Sequence, residues 1–276
     1  LWSINKNAGY IVSIDMESPR LNIIITDLEL NILNEIHTRY ELSMPQDVLI
    51  KYIVDQTHMV MDKIPGSVSK LIGIAIGVPG LIDQSTGVSK QIVRIPTWTN
   101  VPRVEIFREE FGVPVYLEND VRLMAIGERQ INNRLKEVKN LIYVGYRAGI
   151  GASIFIDGKP YRGVQGNAGY IGHITVDKDG PICKCGNRGC MELFADEPAI
   201  LERVINELDN IDGISTEELT FKDVISSHLN GNNSVSKILK VAAEHFSIII
   251  SIAVNQFDIP NIVLGGSITS AGDQFL

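Results

Sequence analysis

His173, Cys183, Cys185 and Cys190 follow one another as H-x9-C-x-C-x4-C, a dense run of soft metal ligands. One neutral imidazole and three thiolates make a tetrahedral set with no open position, the donor set of a structural zinc ion and not of a catalytic one. Gly180, Pro181, Gly186 and Gly189 lie between and beside the ligands and supply the tight turns that let them converge. Three cysteines, an odd number within eight positions, are a poor disulfide framework. Bound metal would contribute folding free energy to a loop-rich segment with little core of its own. A second group, Glu118-Asn119-Asp120, closes an apolar run and offers two carboxylates and an amide at a strand end, where open α/β sheets bind ligands.

Elements of regular spacing must carry these groups. Residues 10–15, 21–27 and 32–38 are apolar-rich runs separated by short turns, predicting a three-stranded antiparallel meander. Val48, Ile50, Ile53, Val54, Met59 and Val60 recur at helical spacing, predicting a helix over 47–61 with Ser43 as its N-cap. Residues 71–78 are almost wholly apolar before Pro79-Gly80 and read as a buried parallel strand. A helix over 102–111 and a strand over 113–117 follow, then a helix over 121–129 with Asp120 as its cap. The pattern restarts with strands over 140–145 and 151–156, a glycine-rich stretch over 158–172, a long helix over 233–257 and a strand over 261–264. Two meander-plus-helix units predict a bilobal α/β protein with lobes at 1–120 and 121–276, the second holding a zinc loop at 173–190.

The 276 residues suffice for two domains of ordinary size, and 45% hydrophobic with 21% charged residues fits a folded chain. A net charge of −8 argues against a nucleic-acid grip in this portion, because DNA binding needs clustered Lys and Arg. The run over 246–254 falls short of the roughly 20 residues a bilayer requires, and no signal-peptide pattern opens the chain. A cytoplasmic protein is expected. The chain starts at Leu1 and not at Met, which predicts a larger protein with a part ahead of it.

Read with its flanks, the cysteine cluster gives G-H-I-T-V-D-K-D-G-P-I-C-K-C-G-N-R-G-C-M-E over residues 172–192. This resembles the signature of the ROK family, named for repressor, open reading frame and kinase. Gly77-Val78-Pro79-Gly80, Glu118-Asn119-Asp120, Gly149-Ile150-Gly151 and Val263-Leu264-Gly265-Gly266 agree with it in order. The resemblance implies a two-lobe, actin-like ATPase (sugar kinase, ribonuclease H-like) architecture with mixed sheets, and a sugar held in the interlobe cleft. It implies sugar-binding roles for Gly80, Asn119, Asp120, His173 and Glu192, with Asp120 as general base in the kinases. His173 would serve twice, one ring nitrogen on zinc and the other towards the sugar.

Three departures matter. Kinases of the family carry an Asp-x-Gly-Gly-Thr phosphate loop; here it reads Asp15-Met16-Glu17-Ser18-Pro19-Arg20, without glycine and with an added carboxylate. The second phosphate loop, usually Gly-Thr-Gly, reads Arg147-Ala148-Gly149 and lacks its hydroxyl. Tyr170 stands where the family has Glu in Gly-Glu-x-Gly-His, so a different sugar, or a different sugar orientation, is expected; Tyr170 either stacks on the sugar or packs the loop.

The resemblance thus points to the repressor branch, similar to xylose repressors and N-acetylglucosamine-responsive regulators. It implies a monosaccharide-responsive body without kinase activity, operator DNA bound through an N-terminal winged helix-turn-helix outside this chain, and a homodimer or homotetramer. The alternative is a hexose kinase with Asp120 as base. Trp98 reads as a sugar-loop residue or a loop anchor, and Arg147 as an anion ligand or a solvated side chain. His37, His58, His228 and His245 read as structural, Gly265 and Gly266 as shaping a turn, and the charges over 105–110 as an exposed helix face.

Overall fold

A computed structural model describes residues 3–215 and 218–272. The chain divides into two compact units, Leu1–Leu123 with Gln165–Asn167, and Met124–Val164 with Ala168–Leu276.

In the first unit, β1 (Tyr10–Glu17), β2 (Arg20–Thr26) and β3 (Ile32–Arg39) form the antiparallel meander that the alternating runs predict. After α1 (Gln46–Asp62) and the short α2 (Ser67–Lys70), β4 (Leu71–Val78) lies parallel to β1. The small antiparallel sheet of β5 (Leu81–Asp83), β6 (Val88–Gln91) and β7 (Thr99–Val101) comes next, then α3 (Arg103–Phe111). Finally β8 (Val115–Asn119) pairs in parallel with β4, giving a mixed sheet of order β3-β2-β1-β4-β8. One face of that sheet sends Val12, Ile14, Leu21, Ile23, Ile25, Ile74, Ile76 and Leu117 into the core, against Leu49, Ile53 and Val60 of α1 and Phe107 of α3. Each such side chain contributes about 1.5–3 kcal/mol of burial.

Ser43 is not the cap of α1. Pro45 occupies the N-cap position without a side-chain bond, and the helix starts at Gln46. A residue before proline is pushed out of the helical region, so Met44 cannot join a helix begun at Ser43.

In the second unit, α4 (Asp120–Ile131), whose first residues belong to the first unit, leads to β9 (Leu141–Tyr146), β10 (Ile150–Ile156) and β11 (Lys159–Tyr161). Helices α5 (Glu192–Ala195) and α6 (Glu197–Glu207), the two-residue strands β12 (Asn210–Ile211) and β13 (Ile214–Ser215), and helices α7 (Phe221–Leu229) and α8 (Asn233–Phe257) follow. Then β14 (Ile262–Gly266) returns parallel to β9, for a sheet of order β11-β10-β9-β14. Every residue of β9 is buried, as expected of a strand covered on both faces.

By length and composition α8 is apolar enough to cross a membrane. Its packing assigns it to a core instead. Val235, Ile238, Leu239, Ala242, Phe246, Ile249 and Ala253 are buried on one stripe, and the helix packs against α5, α6 and α7.

Candidate functional site

The four metal-ligand candidates come together in the second unit. His173 ends a short 3-10 turn, Cys183 and Cys185 sit on a turn closed by Cys183 N–H donating to Asn187 O, and Cys190 precedes α5. Their donor atoms all lie within 4.8 Å of one another. Cys183 Sγ is 3.8 Å from His173 Nδ1 and Cys185 Sγ is 3.6 Å from Cys190 Sγ. The edge of a tetrahedron with metal–sulfur bonds of about 2.3 Å is about 3.8 Å, so these spacings suit one ion such as zinc. Burial pushes the Cys183 and Cys190 thiols up from their ordinary range, an environment in which thiolates persist only beside a cation. The backbone is specific here: Gly189 has φ +60°, and a Cβ on it would stand 1.6 Å from Asp177 O.

Nδ1 of His173 is the nitrogen turned to the thiols, which leaves Nε2 on the opposite side of the ring. Tyr170 lies beside it, ring centroids 6.5 Å apart and planes 14° from parallel. Glu192 opens α5 and reaches in two directions. Its Oε1 accepts from Ile150 N–H at 2.8 Å, and its Oε2 is 3.7 Å from His173 Nδ1. It therefore lies against the β9–β10 turn formed by Arg147, Ala148 and Gly149. A Cβ on Gly149 would come within 2.9 Å of Glu192 Oε1, so a side chain there would have to displace that carboxylate.

The first unit carries the other candidates. Asn119 ends β8 and Asp120 begins α4, so both sit on a strand-to-helix corner at the carboxyl end of a parallel strand. The cap of α4 is Asn119 and not Asp120, since Asn119 Oδ1 accepts from Arg122 N–H at 3.2 Å. Asn bonds the helix's first free N–H groups well, and strand β8 ends at Asn119, two residues beyond the end of the predicted strand. Gly80 follows β4 with φ +80°, and a Cβ would stand 2.2 Å from Gln91 O, so only glycine fits that turn. Trp98 is fully buried and donates Nε1–H to Ser89 Oγ at 2.9 Å; it is a loop anchor.

The stretch matching the first phosphate loop is the two-residue turn Ser18-Pro19 between β1 and β2, with Glu17 paired to Arg20 in register. Arg20 Nη2 also binds Glu17 Oε1 at 2.6 Å, and Ser18 Oγ and Tyr40 OH share a hydrogen bond of 2.9 Å. Glu17 and Ser18 are buried by these partners.

Two buried arginines escaped the sequence reading. Arg122 Nη1 binds Glu118 Oε1 at 2.5 Å, both side chains less than 9% exposed. Glu118 also accepts from Asn119 N–H and from Gln84 Nε2, so it braces the corner bearing Asn119 and Asp120. The i,i+4 spacing of Glu118 and Arg122 was the available signal, hidden because it straddles a strand and a helix. Arg103 is fully buried between Trp98 and Phe107, centroid distances 5.1 and 5.7 Å, with Nη1 on Met16 Sδ. No pattern marked it: it stands at the first position of a helix whose charges looked solvated.

The sequence model of the ROK family matches residues 11–275. The xylose repressor of Bacillus subtilis (strain 168) is 34% identical over 271 residues, covering 96% of this chain and 66% of that protein. The N-acetylglucosamine repressor of Escherichia coli O157:H7 is 31% identical over 228 residues, covering 82% of this chain and 56% of that protein. The chain thus spans about two thirds or less of the length of these relatives. A ROK family transcriptional regulator described as a homolog of the E. coli MLC protein shares the fold with TM-score 0.82 at 24% identity, over 99% of this chain and 69% of that one. A ROK family glucokinase from Streptomyces griseus, solved with glucose and AMPPNP, does so with TM-score 0.81 at 23% identity, over 97% and 86%. These likenesses show the α/β sugar-kinase, actin-like fold with mixed sheets.

Proposed function

The chain belongs to the ROK family, and from that premise we propose that it is the effector-reading body of a sugar-responsive transcriptional repressor that does not transfer phosphate. The observation that carries this reading is the β1–β2 turn. A kinase needs backbone N–H groups open to polyphosphate at that place. Here a two-residue turn is closed by the Glu17–Arg20 pair and by the Ser18–Tyr40 hydrogen bond, and its nearest carboxylate would repel phosphate. The alanine and glycine of the β9–β10 turn offer no hydroxyl, and Glu192 already takes the Ile150 N–H. Relatives at 31–34% identity that are named repressors support the same branch.

In this reading Gly80, Asn119 and Asp120 of the first unit and Tyr170, His173 and Glu192 of the second read the hydroxyls of a monosaccharide, with xylose a leading candidate. Carboxylates and amides suit the task because each hydroxyl both donates and accepts. His173, Cys183, Cys185 and Cys190 hold a structural zinc that fixes the imidazole, and Nε2 faces the sugar. Operator DNA is bound through an N-terminal region that this chain does not include, and the protein works in the cytoplasm as a homodimer or homotetramer.

Calorimetric titration with xylose, glucose, fructose and N-acetylglucosamine, alongside an assay for ADP release, tests the proposal. Heat with one sugar, lost in Asp120→Ala, and no ADP are expected. Hexose-dependent ADP release abolished by Asp120→Asn would replace this reading with that of a kinase using Asp120 as general base.

A further inference from the structure

Arg122 does more than pair with Glu118. Its Nη2 donates to Gly166 O at 3.1 Å, while its own N–H is capped by Asn119. Gly166 has φ +81°, a conformation in which a side chain is strained, so the chain turns sharply at the point where the guanidinium grips it. The segment Gln165–Asn167 is consequently part of the first unit, although the residues on both sides of it belong to the second. One buried guanidinium therefore joins three things: the carboxylate of Glu118, the Asn119 corner through its own backbone, and the carbonyl of Gly166.

Next to that grip, Asn167 holds a buried side-chain oxygen with no hydrogen-bond partner among the described residues. An orphaned buried acceptor costs about 1–3 kcal/mol, so such an atom calls for a donor. The side chains of Arg122 and Glu118 are already engaged, Arg122 by Glu118 and Gly166, and Glu118 by Gln84, Asn119 and Arg122.

We propose that Asn167 is an additional effector-contacting residue of the first unit, its side-chain oxygen accepting from a hydroxyl of the bound sugar, and that Arg122 is the positioning residue that holds it beside the Asn119–Asp120 corner. This rests on the sugar-sensor reading. The amide of Asn167 would add a contact that the sequence signature did not single out, and would select for a sugar with a hydroxyl directed at it. The segment leads within a few residues to Tyr170 and His173, so its anchoring also fixes where that stretch of chain begins.

The test uses the whole chain in three forms: wild type, Asn167→Leu, and the double variant Glu118→Gln/Arg122→Met, which leaves no unpaired buried charge. Calorimetry with the four monosaccharides is combined with hydrogen exchange of the peptide spanning 162–169. Wild type is expected to bind one sugar and to slow exchange in that peptide on binding. Asn167→Leu should weaken binding about tenfold without lowering Tm, as loss of one buried hydrogen bond implies. The double variant should exchange faster in that peptide even without sugar. Full affinity in Asn167→Leu overturns the contact, and unchanged exchange in the double variant overturns the anchor. No heat with any sugar in wild type overturns the sensor reading and the ligand role of Asn167 with it, while the sugar-free exchange result still decides the anchor.

Discussion

Glu192 stands between two functional stretches of the chain: its Oε2 lies 3.7 Å from His173 Nδ1, and its Oε1 receives the Ile150 N–H at 2.8 Å. A carboxylate in this place accepts from the β9–β10 turn and sets a negative charge beside the imidazole. Under the proposed function, Glu192 would help to keep the His173 side of the second unit in place.

Replacing Glu192 by Ala leaves the Ile150 N–H unpaired in a part-buried site. A loss of about 1–2 kcal/mol in urea unfolding is expected, together with weaker sugar binding. Glu192→Gln keeps an acceptor oxygen and should recover most of the stability. Equal stabilities for the Ala and Gln variants would remove the turn-closing role.

Metal analysis of the purified protein should give one zinc per chain. Chelation, or Cys190→Ser, should lower Tm and release sugar together, because an ion in this cluster would hold both the loop and the ring of His173. If sugar affinity survives removal of the metal, the ion is a staple only.

Arg103→Met should leave the protein as stable or make it more stable by about 1–3 kcal/mol. Burial pushes this guanidinium down to about 9, and its Nε and Nη2 have no partner among the described residues. A buried cation so poorly paired costs more in desolvation than its contacts with Trp98 and Phe107 return. Thermal unfolding at neutral pH measures the outcome; a large drop in Tm would show that the ring contacts dominate.

Tyr40 is raised to about 12, chiefly by burial. The folded state therefore keeps a proton that the unfolded chain gives up near the ordinary value of 10. Stability from this group is complete below pH 10 and is lost as pH rises towards 12. The alkaline limb of the unfolding curve should be shallower in Tyr40→Phe, compared in urea at pH 9 and pH 11. An identical limb in both proteins would place the ionisation elsewhere.

The meander β1–β3, helix α8 and the buried strand β4 were readable because each carries its own period: alternation, a 3.6-residue stripe, or an unbroken apolar run. Capping was not. Ser43 met the compositional rule for α1, yet Pro45 overrode it through the backbone of Met44, and Asn119 took the cap expected of Asp120. Trp98 read as a sugar-loop residue or a loop anchor, and only the fold shows it buried, with Ser89, nine positions away, accepting its N–H.

The sequence by itself determined the candidate ligand set, because His173, Cys183, Cys185 and Cys190 lie within eighteen positions and their chemistry and turn residues suffice to name a candidate metal centre. It also shows, as letters, that residues 15–20 lack the glycines and residues 147–149 the hydroxyl of the family's kinase loop patterns. Which partners the buried polar groups take was decided only in three dimensions. Glu17 with Arg20, Glu192 with Ile150, and Arg122 with Gly166 join groups from 3 to 44 positions apart. A buried charge or acceptor must find its partner in space, and no local period records which partner that is.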